Sequence, residues 1–179
     1  MDHQPIIDFW FAEIDPKQWW RQDDELDRRI AERFGDVHAQ AVQCELYAWR
    51  RQPLGRLAEI IVLDQFSRNI YRGTARAFAS DPLALALAQE AIAAQAAASL
   101  EPHHRAFLYM PYMHSESRQI HEIAVELFSQ EGLESYLDFE LRHKAIIDRF
   151  GRYPHRNTLL GRNSSDEESD FLITPGSSF

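Results

Sequence analysis

From Asp81 the chain runs Asp-Pro-Leu-Ala-Leu-Ala-Leu-Ala and continues rich in alanine to Ala98, without a glycine. Asp81 suits a helix cap and Pro82 the first helical position, where a missing N–H costs nothing. Leucine and alanine favour helix strongly, so 81–98 is predicted as one helix whose small side chains let a neighbour approach closely. The same period recurs elsewhere. Leu26, Ile30 and Phe34 step by four behind Asp23-Asp24-Glu25, acids suited to a helix N-terminus, and Gly35 marks the expected stop. A further helix is predicted from Asp36 to before Pro53, and Leu57–Phe66, apolar almost all round, is expected at the centre.

Later helices are predicted from His104 to Met113, with Pro111 near the end, from Ser117 to Gln130, and from Leu133 to Phe150. Pro154 and Gly161 bracket a short one, and Ser165 with Glu168 forms a capping-box pattern before Phe171-Leu172. No segment alternates over strand length and only 7 of 179 residues are glycine. The expected fold is therefore all-α, built of antiparallel helical hairpins because the links are short. No clean internal repeat is present, although 81–98 looks like half of one. One domain over 1–173 with a frayed tail at 174–179 fits this length.

The single cysteine, Cys44, excludes an intramolecular disulfide or a cysteine-based zinc site, and it reads as a small buried helical residue. The first residues, Met1-Asp2-His3-Gln4-Pro5, lack the basic start of a signal peptide, and no apolar run reaches membrane-span length. A cytoplasmic protein is expected. The net charge of −9 argues against general nucleic-acid or anionic-membrane binding. Trp10, Trp19 and Trp20 read as packing residues, with no basic strip beside them.

Charge is unevenly placed. Residues 142–162 hold Arg142, Lys144, Arg149, Arg152, Arg156 and Arg162 against Asp148 alone, whereas 28 acids in 179 residues would place about 3 in such a window. A second acid-free run, 65–80, contains Arg68, Arg72 and Arg76. Cationic loops in an acidic chain suggest a localised anion site.

Five phrases together carry a resemblance: Asp8–Phe11 (DFWF), Leu63–Gly73 (LDQFSRNIYRG), Phe107–Ser117 (FLYMPYMHSES), Phe150–Asn157 (FGRYPHRN) and Leu160–Ser165 (LGRNSS). In this order they resemble the bacterial family catalogued as domain of unknown function 924. The resemblance covers nearly the whole chain and implies an all-helical fold similar to tetratricopeptide-repeat superhelices. It implies no activity. Ser67 stands where proline is expected and Tyr153 where phenylalanine is commoner.

Asp64 shares a helix face with Leu57, Ile60 and Ile61, so it needs a partner when buried. Arg68 lies one turn on, and Arg72 continues the row if the helix does. This is either a structural ion pair or an acid holding arginines toward a ligand. Arg152, His155, Arg156 and Asn157 surround the helix start at Pro154, where free N–H groups and arginine forks suit an anion. The alternative is that they tie the C-terminal helices to the body.

His143 falls on the apolar face of Tyr136, Phe139, Ile146 and Phe150, the pattern of a hydrogen-bonded core residue. His114 is placed near a helix mouth. His121-Glu122 fails the zincin pattern because Val125 occupies the second histidine position, and the pairs His114/Glu116 and His103/His104 do not converge on one face. Neither metal nor cofactor is expected. The candidate ligand residues are Arg68, Asn69, Arg72, His114, Arg152, His155, Arg156 and Asn157, supported by Asp64 and His143.

Three functions remain open at this level. The first is a helical scaffold binding a small anionic molecule or peptide carboxylate. The second is an enzyme acting on a phosphorylated or carboxylated substrate with a histidine acid or base. The third is a set of arginines consumed by internal pairing. The two arginine turns, 68–73 and 152–157, are expected to meet in space.

Overall fold

A computed structural model gives the fold, with residues 2–178 described. All regular elements among them are helical. They are α1 (Gln4–Asp8), α2 (Asp24–Val42), α3 (Pro53–Ile61), α4 (Ser67–Ile70), α5 (Asp81–Ala93), α6 (Pro102–Met113), α7 (Arg118–Phe128), α8 (Glu134–Phe150) and α9 (Asp166–Leu172). Short 3₁₀ segments occupy Pro16–Trp20, Tyr47–Arg51, Ala75–Phe78, Ala96–Ser99 and Pro154–Arg156. Two π-helical turns, Phe9–Glu13 and Val62–Phe66, extend α1 and join α3 to α4. Successive helices α5 to α8 pack against one another in chain order, consistent with hairpin construction.

The centre is where the apolar run placed it. From Leu57 to Phe66 every residue except Gln65 is buried, and α3 touches α1, α5 and α6. Phe9, Trp10, Phe34, Phe66 and Phe107 pack ring against ring beside it, for example Phe9 to Phe34 at 5.0 Å and Trp10 to Phe107 at 5.6 Å. A smaller cluster, Ile146, Ile147 and Tyr153, joins Phe150 and Phe171 and seats α9. The capping box is present: Ser165 Oγ accepts from Glu168 N, and Glu168 Oε2 accepts from Ser165 N.

Several boundaries differ from the sequence expectation. Gly35 does not stop a helix, and α2 runs on to Val42. Its buried row Leu26, Ile30, Phe34, Val37, His38, Ala41 continues across the glycine, and that packing outweighs the ~1 kcal/mol penalty of a helical glycine. The segment after Asp36 is therefore not a separate helix reaching Pro53. The chain turns at Cys44, whose φ of 59° and exposure contradict the buried helical cysteine. The alanine-rich helix ends at Ala93, because Gln95 takes φ 58°; Ala91 is fully buried and Ala94 exposed. Asp81 is not the cap. Ser80 holds that position without a side-chain bond, and the Asp81 carboxylate is turned to arginines. Pro111 lies inside α6, which continues to Met113. Of the 174–179 tail, Phe179 is outside the described residues; Thr174 Oγ1 donates to Phe171 O, and buried Ser177 donates to Leu172 O.

Gly55, in the first turn of α3, packs against backbone. A β-carbon there would stand 2.1 Å from Trp49 O, closer than real contacts allow. Helix propensity alone predicts that Gly55→Ala stabilises by about 1 kcal/mol. The overlap reverses the sign, and the substitution is expected to cost about 1–3 kcal/mol, read as a lower urea midpoint. A raised midpoint would show that the 47–51 turn yields freely.

Candidate functional site

The ends of several elements enclose a cavity of about 470 Å³. The π turn supplies Gln65, α4 supplies Arg68 and Asn69, and the end of α6 supplies Met110, Met113 and His114. Tyr136, Phe139 and His143 come from α8, and His155 and Arg156 from the Pro154 turn. Trp20, 49% exposed, and Phe139, 40% exposed, form a rim, their rings stacked at 5.6 Å and 10°.

Asp64 lies buried in the π turn, behind the lining residues Gln65, Arg68 and His114. Burial would raise its pKa, but Arg68, with His114 and Gln65 bonded to it, holds the carboxyl well below the ordinary range. It lies 3.2 Å from Arg68 Nη1 and 2.7 Å from His114 Nδ1, and it accepts from Gln65 Nε2 at 2.5 Å. An ionised carboxylate cannot donate, so His114 Nδ1 carries the hydrogen. That fixes Nε2 as the lone-pair nitrogen on a ring that lines the cavity. Burial, and then Arg68, lower the His114 pKa against the pull of Asp64, so the ring is neutral at pH 7.

Asp81 joins the two predicted arginine segments. Arg68 grips it with both arms, Nη1 to Oδ1 at 2.9 Å and Nη2 to Oδ2 at 3.0 Å. Arg156 reaches the same carboxylate through Nη1 at 3.2 Å. Its guanidinium lies 4.6 Å from each of the Phe78 and Tyr153 rings, its Nε is buried without a hydrogen-bond partner, and the residue is 5% exposed. Burial and the neighbouring Arg68 lower its pKa. Arg156 is thus a buried cation whose carboxylate partner is already occupied.

His143 is the buried residue its face predicted. Nδ1 donates to Phe139 O at 2.7 Å, and burial above all lowers its pKa to about 3. His155 also lines the cavity, and burial, followed by Arg156, lowers it to about 4.

Other expected members point elsewhere. Arg152 is bound by Glu168 at 2.6 and 2.8 Å and donates to Asn163 O. Asn157 donates to Ser164 Oγ and accepts from Arg162 Nε, both at 3.0 Å. Neither residue lines the cavity, because the loop before α9 and the first turn of α9 fold back and consume their polar groups. Arg162 is itself held by Glu116 at 2.6 and 2.9 Å. Arg72 does not continue the Asp64–Arg68 row, since α4 ends at Ile70. It turns to Asp27, which also accepts from Asn69 Nδ2 at 2.7 Å. Both residues still line the cavity.

The sequence reading missed Asp81, Phe78 and the Trp20–Phe139 rim. Ser80 directly before Asp81 was the available signal, since a chain with two adjacent capping residues can release one. Ser67 gives its hydroxyl hydrogen to Leu63 O at 2.6 Å, so His38 Nε2 must donate to Ser67 Oγ at 2.8 Å. The Tyr153 hydroxyl donates to Met113 O at 2.5 Å, a bond phenylalanine lacks. No group of three or more His, Cys, Asp or Glu among the described residues is placed to hold a metal ion. His121 is instead engaged by Glu140 and Ser115 O.

The protein is thus an all-helical one in which helix ends bring arginine and histidine side chains to a largely apolar cavity. It belongs to the bacterial protein family of unknown function DUF924, whose model matches residues 6–176. It is similar to a solved protein of unknown function, ATU0120 from Agrobacterium tumefaciens, at 37% identity, with 96% of each chain covered and a TM-score of 0.91. No curated protein matches it.

Proposed function

We propose that the chain is a helical binding protein for a small amphiphilic monoanion, with the ligand carboxylate against Arg156 and its apolar body among Met110, Met113 and the Trp20–Phe139 rim. The observation that carries this reading is Arg156 itself. A buried guanidinium needs charge and hydrogen bonds, yet Asp81 gives it a single 3.2 Å contact and Nε has none. A carboxylate fits the planar fork. Charge decides against a phosphate dianion. Arg68 and Arg156 are already balanced by Asp64 and Asp81, so a monoanion adds one net charge to a buried site and a dianion two. No helix among the described residues is long and apolar enough to span a membrane. The scaffold is compatible with a tetratricopeptide-like superhelix, and a cytoplasmic setting suits the exposed thiol of Cys44.

Calorimetric titration with benzoate tests this. Benzoate is expected to bind, inorganic phosphate to bind more weakly, and Arg156→Gln to weaken benzoate at least about tenfold, which corresponds to ~1.4 kcal/mol. Arg156→Lys, which keeps the charge and loses the fork, covers the case in which glutamine unfolds the turn. Absence of benzoate binding, or unchanged affinity in both folded variants, removes the proposal.

A further inference from the structure

The wall of the cavity carries a second arrangement that binding alone does not require. His114 is held through Nδ1 by an ionised Asp64 at 2.7 Å, and Asp64 is locked in turn by Arg68 and Gln65. A carboxylate that fixes one imidazole nitrogen, leaving the other on a ligand cavity, is the geometry of an oriented general base. Two features go beyond structural pairing. The Nε2 atom of His114 meets no hydrogen-bond partner among the described residues. The anion-holding guanidinium of Arg156 lines the same cavity, Asp81 linking it to the Arg68 that braces Asp64.

The nucleophile served by such a base is set by what lines the cavity. Tyr136 and Ser178 are the only hydroxyl-bearing residues among its lining, no cysteine is there, and neither hydroxyl is bonded to His114. Water is therefore the group His114 can activate.

We infer that the site hydrolyses carboxylate-bearing esters, with His114 as the general base on water, Asp64 as the residue positioning it and Arg156 as the carboxylate holder. This rests on the binding reading above. In the step, a water oxygen bonds to the ester carbonyl carbon while one water proton passes to His114 Nε2. The carbonyl π pair moves onto oxygen, giving a tetrahedral anion. Collapse restores the carbonyl and breaks the bond to the leaving oxygen, which takes the proton back from His114. The products are an acid, which ionises, and an alcohol or phenol. No co-reactant other than water is consumed.

The probe is 4-acetoxybenzoate, whose carboxylate lies too far from its ester for self-catalysis, with release of 4-hydroxybenzoate as the readout. The purified full chain is expected to cleave it above the buffer rate. The uncharged methyl 4-acetoxybenzoate should show a lower kcat/KM. His114→Asn keeps an N–H near the Nδ1 position for Asp64 but removes Nε2. It should lose about a hundredfold in kcat, read at saturating probe. The rate should also rise with pH through a midpoint below the ordinary histidine value. The groups bearing on that midpoint are Asp64 and Arg68 from the segment beside the ring and Asp81 from α5; His143 of α8 also lies close, 6.5 Å between ring centroids. Turnover at the buffer rate with benzoate bound overturns the hydrolytic inference and leaves the binding reading standing. Equal turnover by a folded His114→Asn also overturns it. Loss of benzoate binding in the unaltered protein overturns both.

Discussion

Acidification from pH 6.5 to 4.5 is expected to lower the unfolding free energy by about 5 kcal/mol, well before most carboxylates titrate. The cause is the neutral burial of His143 and His155, held at about 3 and about 4. An unfolded histidine takes a proton near pH 6.5. Over the interval, the unfolded chain binds protons that the folded chain refuses, so stability falls as pH falls. Each of the two contributes about 1.4 kcal/mol per pH unit. The contribution is present above pH 6.5 and exhausted only near the folded values. His38 and His114, also lowered by burial, act in the same direction. Glu140 opposes them: burial raises its pKa, so protonation favours the folded state. Urea titrations at pH 7.5, 6.0, 5.0 and 4.5 measure the slope. A flat stability down to pH 5 would mean that these rings are protonated in the folded protein.

Replacing Arg68 with methionine is expected to destabilise by about 3–5 kcal/mol, since removing one member of a buried ionic network strands the others. Arg68 neutralises Asp64 and Asp81 together and caps the Asp64 carbonyl at 2.8 Å. Methionine fills the stem volume but removes the shared cation, leaving Asp64 with His114 and Gln65 and Asp81 with Arg156. The double variant Arg68→Met with Asp64→Leu should recover part of the loss, because the remaining pair of Asp81 and Arg156 balances itself. A change under about 1 kcal/mol in the single variant, the range of exposed pairs, would place Arg68 in solvent.

How much of this was legible depends on the distance over which each signal acts. The Asp64–Arg68 pair could be read because i,i+4 spacing on a helix is local. Arg156 could be read because Pro154 announces a helix start. The fates of Arg152 and Asn157 could not, since their partners, Glu168 in the first turn of α9 and Ser164 in the loop before it, are brought back by a path no local pattern encodes. Glu168 was recognised as a capping residue, but nothing in its spacing told that the same carboxylate would hold Arg152. Gly35 misled for the opposite reason. Its local cost is real, and the buried row of α2 overrides it. Convergence of the two arginine segments was legible as shared composition, while the acid that joins them, Asp81, was assigned to its own helix.

The π turn at Val62–Phe66 makes chain length, rather than residue identity, the strictest requirement around Asp64. A wide turn accommodates one residue more than regular α-helical winding would. Excision of a single residue from it would let regular α-helical winding run through, leaving α4 on its face but re-aiming the side chains within the turn, Asp64 among them. The Asp64 carboxylate would then be turned relative to Arg68 and His114, although every chemical group survived. In comparing relatives of this chain, a one-residue gap between Ile61 and Ser67 therefore signals a rebuilt site more strongly than a substitution within it.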